Sequence, residues 1–398
     1  MTRDEVIYLD FAATSALRPP EITTAVSDFL TGCGATPGRG GHRLAIDAGR
    51  MALRCRMALA KLLSLPGDPG RIAFMMNATH ALNTAMWGTL KRRDKLVISA
   101  YDHNAVLRTA HRLRHEREVE VRMLSGSPDG AIDFQELERA LDGARLLVLN
   151  SVSNVLGTGL PVRALTKLAH EAGALVLVDA AQSAGHMRTN VQDDGVDLVA
   201  FTGHKGLLGI QGVGGLWVRE GVDVEPLITG GTGGDSALRE MPAAYPDHLE
   251  AGTCCAPAIA ALLAGLEWIQ SQTVDTLHAH GAALKRRLWD GLNSIPNVNV
   301  LSPRAPSGAA IVTVVPTNID VPSMASRLDR EHGVLTRAGL HCAPEAHRLL
   351  GSEATGAVRF SIGWCSSEQQ IDRAIEAVAK VTGSVSVAGA EVAESHSC

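Results

Sequence analysis

A lysine that follows directly on an apolar run, in a turn bounded by glycines, is an amine held partly out of water. In "FTGHKGLLGIQGVGG" (201–215), Lys205 stands between Gly203 and Gly206, after the apolar run "VDLVAF". Burial disfavours the ammonium form, lowers the amine's pKa and makes it a usable nucleophile toward carbonyls. Taken alone, Lys205 reads better as a surface residue in a glycine loop. Asp179 shifts that balance, because it closes the neighbouring apolar run "ALVLVDAAQ" (174–182). A lysine that forms a Schiff base and an aspartate that pairs with a pyridinium nitrogen are the protein half of pyridoxal 5'-phosphate chemistry.

A second reactive candidate lies late in the chain. "RAGLHCAP" (337–344) carries Cys342 directly after His341 and close to Arg337. On composition alone Cys342 reads as a small buried hydrophobe. A neighbouring arginine would instead favour its thiolate. The other cysteines are Cys33, Cys55, Cys254, Cys255, Cys365 and Cys398. They are scattered, without a CxxC pair, so neither a disulfide framework nor a metal site is expected. Cys33 and Cys55 read as packing residues, Cys254 and Cys255 as packing or tolerated substitutions, and Cys398 as incidental. "GGTGGDS" (230–236) lacks the strand-to-helix setting of a dinucleotide fingerprint and reads as an active-site loop. His42 in "GRGGHRLA" (38–45) caps the helix that follows, or belongs to a segment that resembles one near the active-site mouth of a known family.

The elements that must position these residues are apolar strands alternating with helices. Strands are predicted at 71–76, 95–100, 145–153, 174–182 and 196–203, with helices at 78–90, 104–116 and 162–173 between them. That alternation predicts a mostly parallel sheet covered on both faces, whose ligands sit beyond the carboxyl ends of the strands. The polar residues at those ends are Asn77, Thr79, His80, Asp102, His103, Ser153, Asn154, Asp179, Gln182, Thr202, His204 and Lys205. A helix starting near Ala78 would add free backbone N–H groups and a positive dipole end for a phosphate. From 256 the texture changes to a long helical region reaching about 295. Strands at 297–302, 308–316 and 357–363 and helices near 322–332 and 367–381 follow.

The 398 residues exceed a usual single domain, so two domains are expected: 1–255, with about residues 1–20 packing on the smaller one, and 256–382, ahead of a tail at 383–398. With 45% hydrophobic and 20% charged residues, the composition suits a globular protein with an ample core. The net charge of −5, without a dense basic block, argues against nucleic acid or an anionic membrane as partner. No apolar run approaches the roughly 20 residues of a membrane span. The charged start "MTRDEV" predicts a cytoplasmic protein with reduced thiols.

The motifs "YLDFAAT" (8–14), "VDAAQSAGH" (178–186), "FTGHKGLLG" (201–209) and "VRFSIGWCSSEQQID" (358–372) together resemble the class V group of fold-type I pyridoxal-phosphate enzymes, in particular the cysteine desulfurase and selenocysteine lyase family. The resemblance implies an α/β, aspartate aminotransferase-like fold, with a large domain on a mostly parallel seven-stranded sheet and a small α+β C-terminal domain. It makes Lys205 the Schiff-base lysine, Asp179 the acid on the pyridine nitrogen, Gln182 the neighbour of the ring hydroxyl and His103 the histidine stacked on the ring. Ala78, Thr79, Thr202 and His204 become phosphate ligands. Thr253 becomes a phosphate contact supplied by the second subunit of a homodimer. Asn154 and Arg359 surround the substrate carboxylate, with Arg337 and His341 close by.

The cysteine loop is similar to an Arg-x-Gly-His-His-Cys-Ala pattern, with Leu340 in place of the first histidine and Cys342 as the nucleophile. The activity implied is conversion of L-cysteine to L-alanine, with sulfur left on Cys342 as a persulfide for an acceptor protein. The same residues would serve a selenocysteine lyase or a C–S lyase acting on a cysteine conjugate. A non-enzymatic sulfur-carrier scaffold is the reading from another class.

Overall fold

The computed structural model describes residues 6–38, 40–234, 237–304 and 308–383. The tail expected from 383, with Cys398, lies outside the described residues except for Gly383.

The central sheet has seven strands in the order Ile72–Met75, Gly214–Val218, Leu198–Thr202, Leu175–Asp179, Leu146–Asn150, Lys95–Ser99, Glu120–Leu124. All run parallel except Gly214–Val218, which is antiparallel to both neighbours. The reversal follows from chain length. The link from Thr202 to Gly214 carries the Lys205 turn and is too short for a crossover helix. The inner strands are buried along their whole length, which is why they read as unbroken apolar runs. Two features escaped the sequence reading: the Glu120–Leu124 edge strand, which alternates charged and apolar residues, and the glycine-led strand Gly214–Val218.

Those glycines answer a packing demand. A Cβ on Gly214 would lie 2.8 Å from Asn77 Cα, so only glycine lets the start of the Ala78–Thr89 helix sit against this strand. A Cβ on Gly206 would run into the carbonyl oxygen of Ala184, so the turn holding Lys205 packs backbone to backbone on the loop that follows Asp179.

The second sheet is antiparallel, in the order Arg337–Gly339, Ala357–Ser361, Ile311–Pro316, Val298–Val300. Helices Val274–Asn293, Val321–His332 and Glu368–Val381 cover it through Leu284, Leu288, Leu328, Ile371 and Val378. The helical region expected from 256 to 295 is two helices, Ala256–Gln272 and Val274–Asn293. Thr273 breaks them with a φ of 65° and caps the second. Near the N-terminus, Ile7–Tyr8 pairs in parallel with Val334–Leu335, and Ile7 and Leu9 are buried in the core of the second sheet. His42 caps Arg43–Leu63 by accepting from the Ala45 N–H.

Gly206→Ala is expected to lower stability by about 1–3 kcal/mol through overpacking, seen as a lower urea midpoint with an unchanged slope. Gly49→Ala, in the Arg43–Leu63 helix, places its Cβ no nearer than 3.9 Å to Gly38 N. It should raise stability by about 0.5–1 kcal/mol in the same measurement.

Candidate active site

The parallel strands all end at one edge of the large sheet, and there a cavity of about 280 Å³ opens toward the small sheet. Its lining includes Ala78, Thr79, His103, Asn154, Asp179, Gln182, Thr202, His204, Lys205, Arg337, His341 and Arg359. Of the strand-end and site residues singled out in the sequence, His80, Asp102, Ser153, Thr253 and Cys342 are not part of this wall. Thr253 is exposed on the chain, and so is the glycine-rich stretch up to Gly234; Asp235 and Ser236 lie outside the described residues.

Lys205 is held by its backbone. The carbonyls of His204 and Lys205 accept from the N–H (2.9 Å) and hydroxyl (2.8 Å) of Ser15, and Arg18 Nε donates to Gly209 O at 2.8 Å. The Nζ atom makes no hydrogen bond among the described residues. Burial lowers its pKa to about 8, against the opposing attraction of Asp179. Asp179 accepts from the Ala181 N–H at 2.9 Å, and burial raises its pKa.

Asp102 is sealed from solvent and accepts from the N–H groups of Ser99 (2.7 Å) and Asn150 (3.2 Å), tying two strand ends together just before His103. Burial, helped by the nearby Asp179, raises its pKa to about 7 against the opposing effect of those hydrogen bonds. His103 caps the Asn104–Arg117 helix: Nδ1 accepts from the Ala105 N–H at 3.0 Å, which leaves the ring proton on Nε2. Burial pushes its pKa down to about 4, and the same cause brings His204 to about 4, so both rings are neutral near pH 7.

Arg359 is 1% exposed. It donates through Nη2 to Asp10 and through Nη1 to the carbonyl of Asn154, each at 3.0 Å, while Nε is buried without a partner. Asp10 lies in the quoted "YLDFAAT" segment, yet nothing in its spacing marks it as the partner of a residue so far along the chain. Asn154 donates to the carbonyl of His341 at 2.7 Å. His341 lines the cavity, but both its ring nitrogens are engaged, with Arg337 O and with His347.

Cys342 lines a neighbouring cleft with Asn83, Asn104, Arg108 and Arg112. This cleft shares Thr79, His103 and Ala105 with the main cavity. The thiol stands 3.7 Å from Arg337 Nη2. Among the other described cysteines, Cys55 is fully buried with its pKa pushed up, Cys33 donates to Leu44 O, and burial raises Cys254 and Cys365.

The cavity has polar groups that fit a pyridoxal phosphate. Thr202 Oγ1, Gln182 Oε1 and Asn154 Oδ1 are buried, cavity-lining and without hydrogen-bond partners. A buried polar atom left unpaired costs about 1–3 kcal/mol, so these atoms are sites waiting for a polar ligand. The N–H groups of Ala78 and Thr79 open the Ala78–Thr89 helix and make no internal bond, an anion-binding arrangement beside Thr202 and His204.

With that geometry established, the fold and site define a class. The family model described as "Aminotransferase class-V" matches residues 7–374, and the chain belongs to that family. Families of this class use pyridoxal phosphate in general. A probable cysteine desulfurase of Methanothermobacter thermautotrophicus is 32% identical over 394 residues, covering 96% of each chain. One of Pseudomonas aeruginosa is 34% identical over 377 residues, covering 92% of this chain and 91% of its own. The apo structure of cysteine desulfurase from Thermococcus onnurineus superposes with a TM-score of 0.88 at 30% identity, covering 96% of this chain and 95% of that one. Among the described residues no helix is long and apolar enough to cross a membrane.

The lowered pKa of Lys205 predicts how the cofactor-free protein reacts. Its amine is the neutral nucleophile above about pH 8 and the inert ammonium below. Borohydride trapping of added pyridoxal phosphate on Lys205, read by peptide mass spectrometry, should rise roughly tenfold per pH unit below pH 8 and level off above it. An ordinary lysine would go on rising to about pH 10.

Proposed function

We propose that this chain is a pyridoxal-phosphate-dependent cysteine desulfurase, acting in the cytoplasm as a homodimer and converting L-cysteine to L-alanine. One observation carries the reading: a depressed-pKa lysine facing a buried aspartate, in a cavity that shares the His103 wall with the cleft holding Cys342. The large unit, 1–255, and the small unit, 256–382, would close this cavity between them. Pyridoxal phosphate, when bound, supplies an electron sink that makes the substrate Cα–H acidic. The Ala78 and Thr79 N–H groups, Thr202, His204 and the partner subunit's Thr253 would hold its phosphate. Gln182 would meet the ring hydroxyl, and His103 would lie against the ring.

The chain's own residues divide the work as follows. Asp179 keeps the ring nitrogen protonated. Arg359, a cavity-lining residue with an unpartnered Nε–H, and Asn154, with an unpartnered Oδ1, would orient the substrate carboxylate and amine. Lys205 Nζ takes the Cα proton and later returns a proton to the substrate carbon skeleton. The Cys342 thiolate attacks the substrate sulfur, the Cβ–S bond breaks, and Cys342 carries the sulfur as a persulfide while alanine leaves. The persulfide then passes its sulfur to an acceptor protein. Arg337, beside the thiol, steadies the anion.

One observation favours a second reading, a C–S lyase acting on a cysteine conjugate and releasing pyruvate. Cys342 is not in the wall of the cavity that holds Lys205, and elimination needs no thiol. The loaded enzyme is expected to turn L-cysteine into alanine with negligible pyruvate and to carry a 32 Da adduct on Cys342, from general sulfur chemistry. Cys342→Ser should cut alanine formation at least about 100-fold. Pyruvate as main product, or full alanine formation by Cys342→Ser, would sink the desulfurase reading.

A further inference from the structure

The Cys342 turn ends a buried chain of hydrogen bonds that the proposed chemistry leaves unused. The backbone carbonyl of Arg337 can only accept, so His341 Nε2 donates to it, at 3.0 Å. His341 Nδ1 is then an acceptor, and His347 Nε2 donates to it at 3.1 Å. His347 Nδ1 in turn accepts from the Ser352 hydroxyl at 2.8 Å. A single carbonyl thus sets both tautomers and the direction of every bond. All three side chains are sealed from water, at 3%, 0% and 2% exposure. Burial drives His341 to about 3 and His347 to about 4, so both rings stay neutral, as the pattern requires.

The turn at the head of this chain is strained. His341 and Cys342 have φ values of 49° and 57°, and the Ala343 N–H closes the turn on Leu340 O at 2.9 Å. Non-glycine residues hold such conformations only where their surroundings over-determine them. The surroundings do so here. Asn154 holds the His341 carbonyl, the Asn104 N–H holds the Cys342 carbonyl at 2.7 Å, and His347 holds the His341 ring.

We propose that His347, backed by Ser352, is a positioning residue for the Cys342 thiol: it locks the His341 ring and so the left-handed turn that sets where the sulfur stands. The inference rests on the desulfurase reading of Cys342. It concerns His347 and Ser352, which lie outside the cavity wall, and nothing in the spacing of His341, His347 and Ser352 along the chain announces it.

The test compares holoenzyme carrying His347→Leu, which fills the space without hydrogen bonds, with His347→Gln, which keeps a donor where Nε2 was. Three quantities are read: alanine formation from L-cysteine, solvent exchange of the Cα hydrogen of L-alanine, which needs Lys205 but no thiol, and amide exchange at Ala343. His347→Leu should lower kcat for alanine formation at least about 10-fold, with KM and Cα exchange within about twofold, and speed Ala343 amide exchange about 10-fold or more. His347→Gln should recover most of each loss. The proposal is overturned if Leu and Gln behave alike, if Leu matches the parent, or if Leu slows Cα exchange as much as alanine formation. Should the parent itself form no alanine, the desulfurase reading fails separately, and Ala343 exchange in the two variants still decides whether His347 holds the turn.

Discussion

A guanidinium sealed from water has to be paired, and the pairing of Arg359 organises this molecule. Arg359 sits on the Ala357–Ser361 strand of the small sheet. Its partners are Asp10, from the N-terminal segment, and the carbonyl of Asn154, from the loop beyond the large sheet. Three stretches far apart in the chain are thereby fixed around one cation. Breaking such a buried pair by removing one partner typically costs several kcal/mol, because it strands the remaining charge. Arg359 also lines the cavity, and its Nε–H has no partner among the described residues. The group that holds the halves together is therefore also the group suited to a carboxylate.

The N-terminal segment extends the same bracing. Beyond Asp10, the carbonyl of Ala12 accepts from Gln182, Ser15 holds two carbonyls of the lysine turn, and Trp364 Nε1 donates to Leu17 O. A segment that forms only the two-residue strand Ile7–Tyr8 at its start thus links the small sheet to Lys205. Its effect is rigidity where chemistry needs it: a lysine whose backbone cannot drift, opposite an aspartate at a strand end. The electrostatics follow from the same enclosure. Low access to water lowers the lysine and histidine pKa values and raises those of the aspartates, so the amine is reactive and the imidazoles are uncharged donors or acceptors near neutral pH.

Much of this was legible in the chain. Parallel strands buried on both faces leave apolar runs, so the strand cores were found to within a few residues. Their carboxyl ends then pointed to Asp179, Thr202, His204 and Lys205, and the cavity collects them. The misses have physical reasons. Glu120–Leu124 is an edge strand with one wet side, so its pattern is diluted by charge. Gly214 and Gly215 look like turn residues, but close backbone approach demands them inside a strand. Thr273 splits one helical pattern into two because its cap and left-handed φ interrupt a periodicity that the side chains continue.

What the sequence determined by itself was the set of chemical types and their order: an aspartate at the end of one strand, a lysine after the next, a cysteine and an arginine in the last third. Those follow from local patterning, in which strand ends, glycines and apolar runs lie next to one another in the chain. Only the tertiary structure decided which groups share a wall and which stand apart. It paired Arg359 with Asp10, set Cys342 in a cleft across His103, and turned His341 away into a bonded chain with His347 and Ser352. Such choices are made by long-range burial. A polar atom takes whatever partner the closed interior brings within reach, and the chain separating the two carries no record of that meeting.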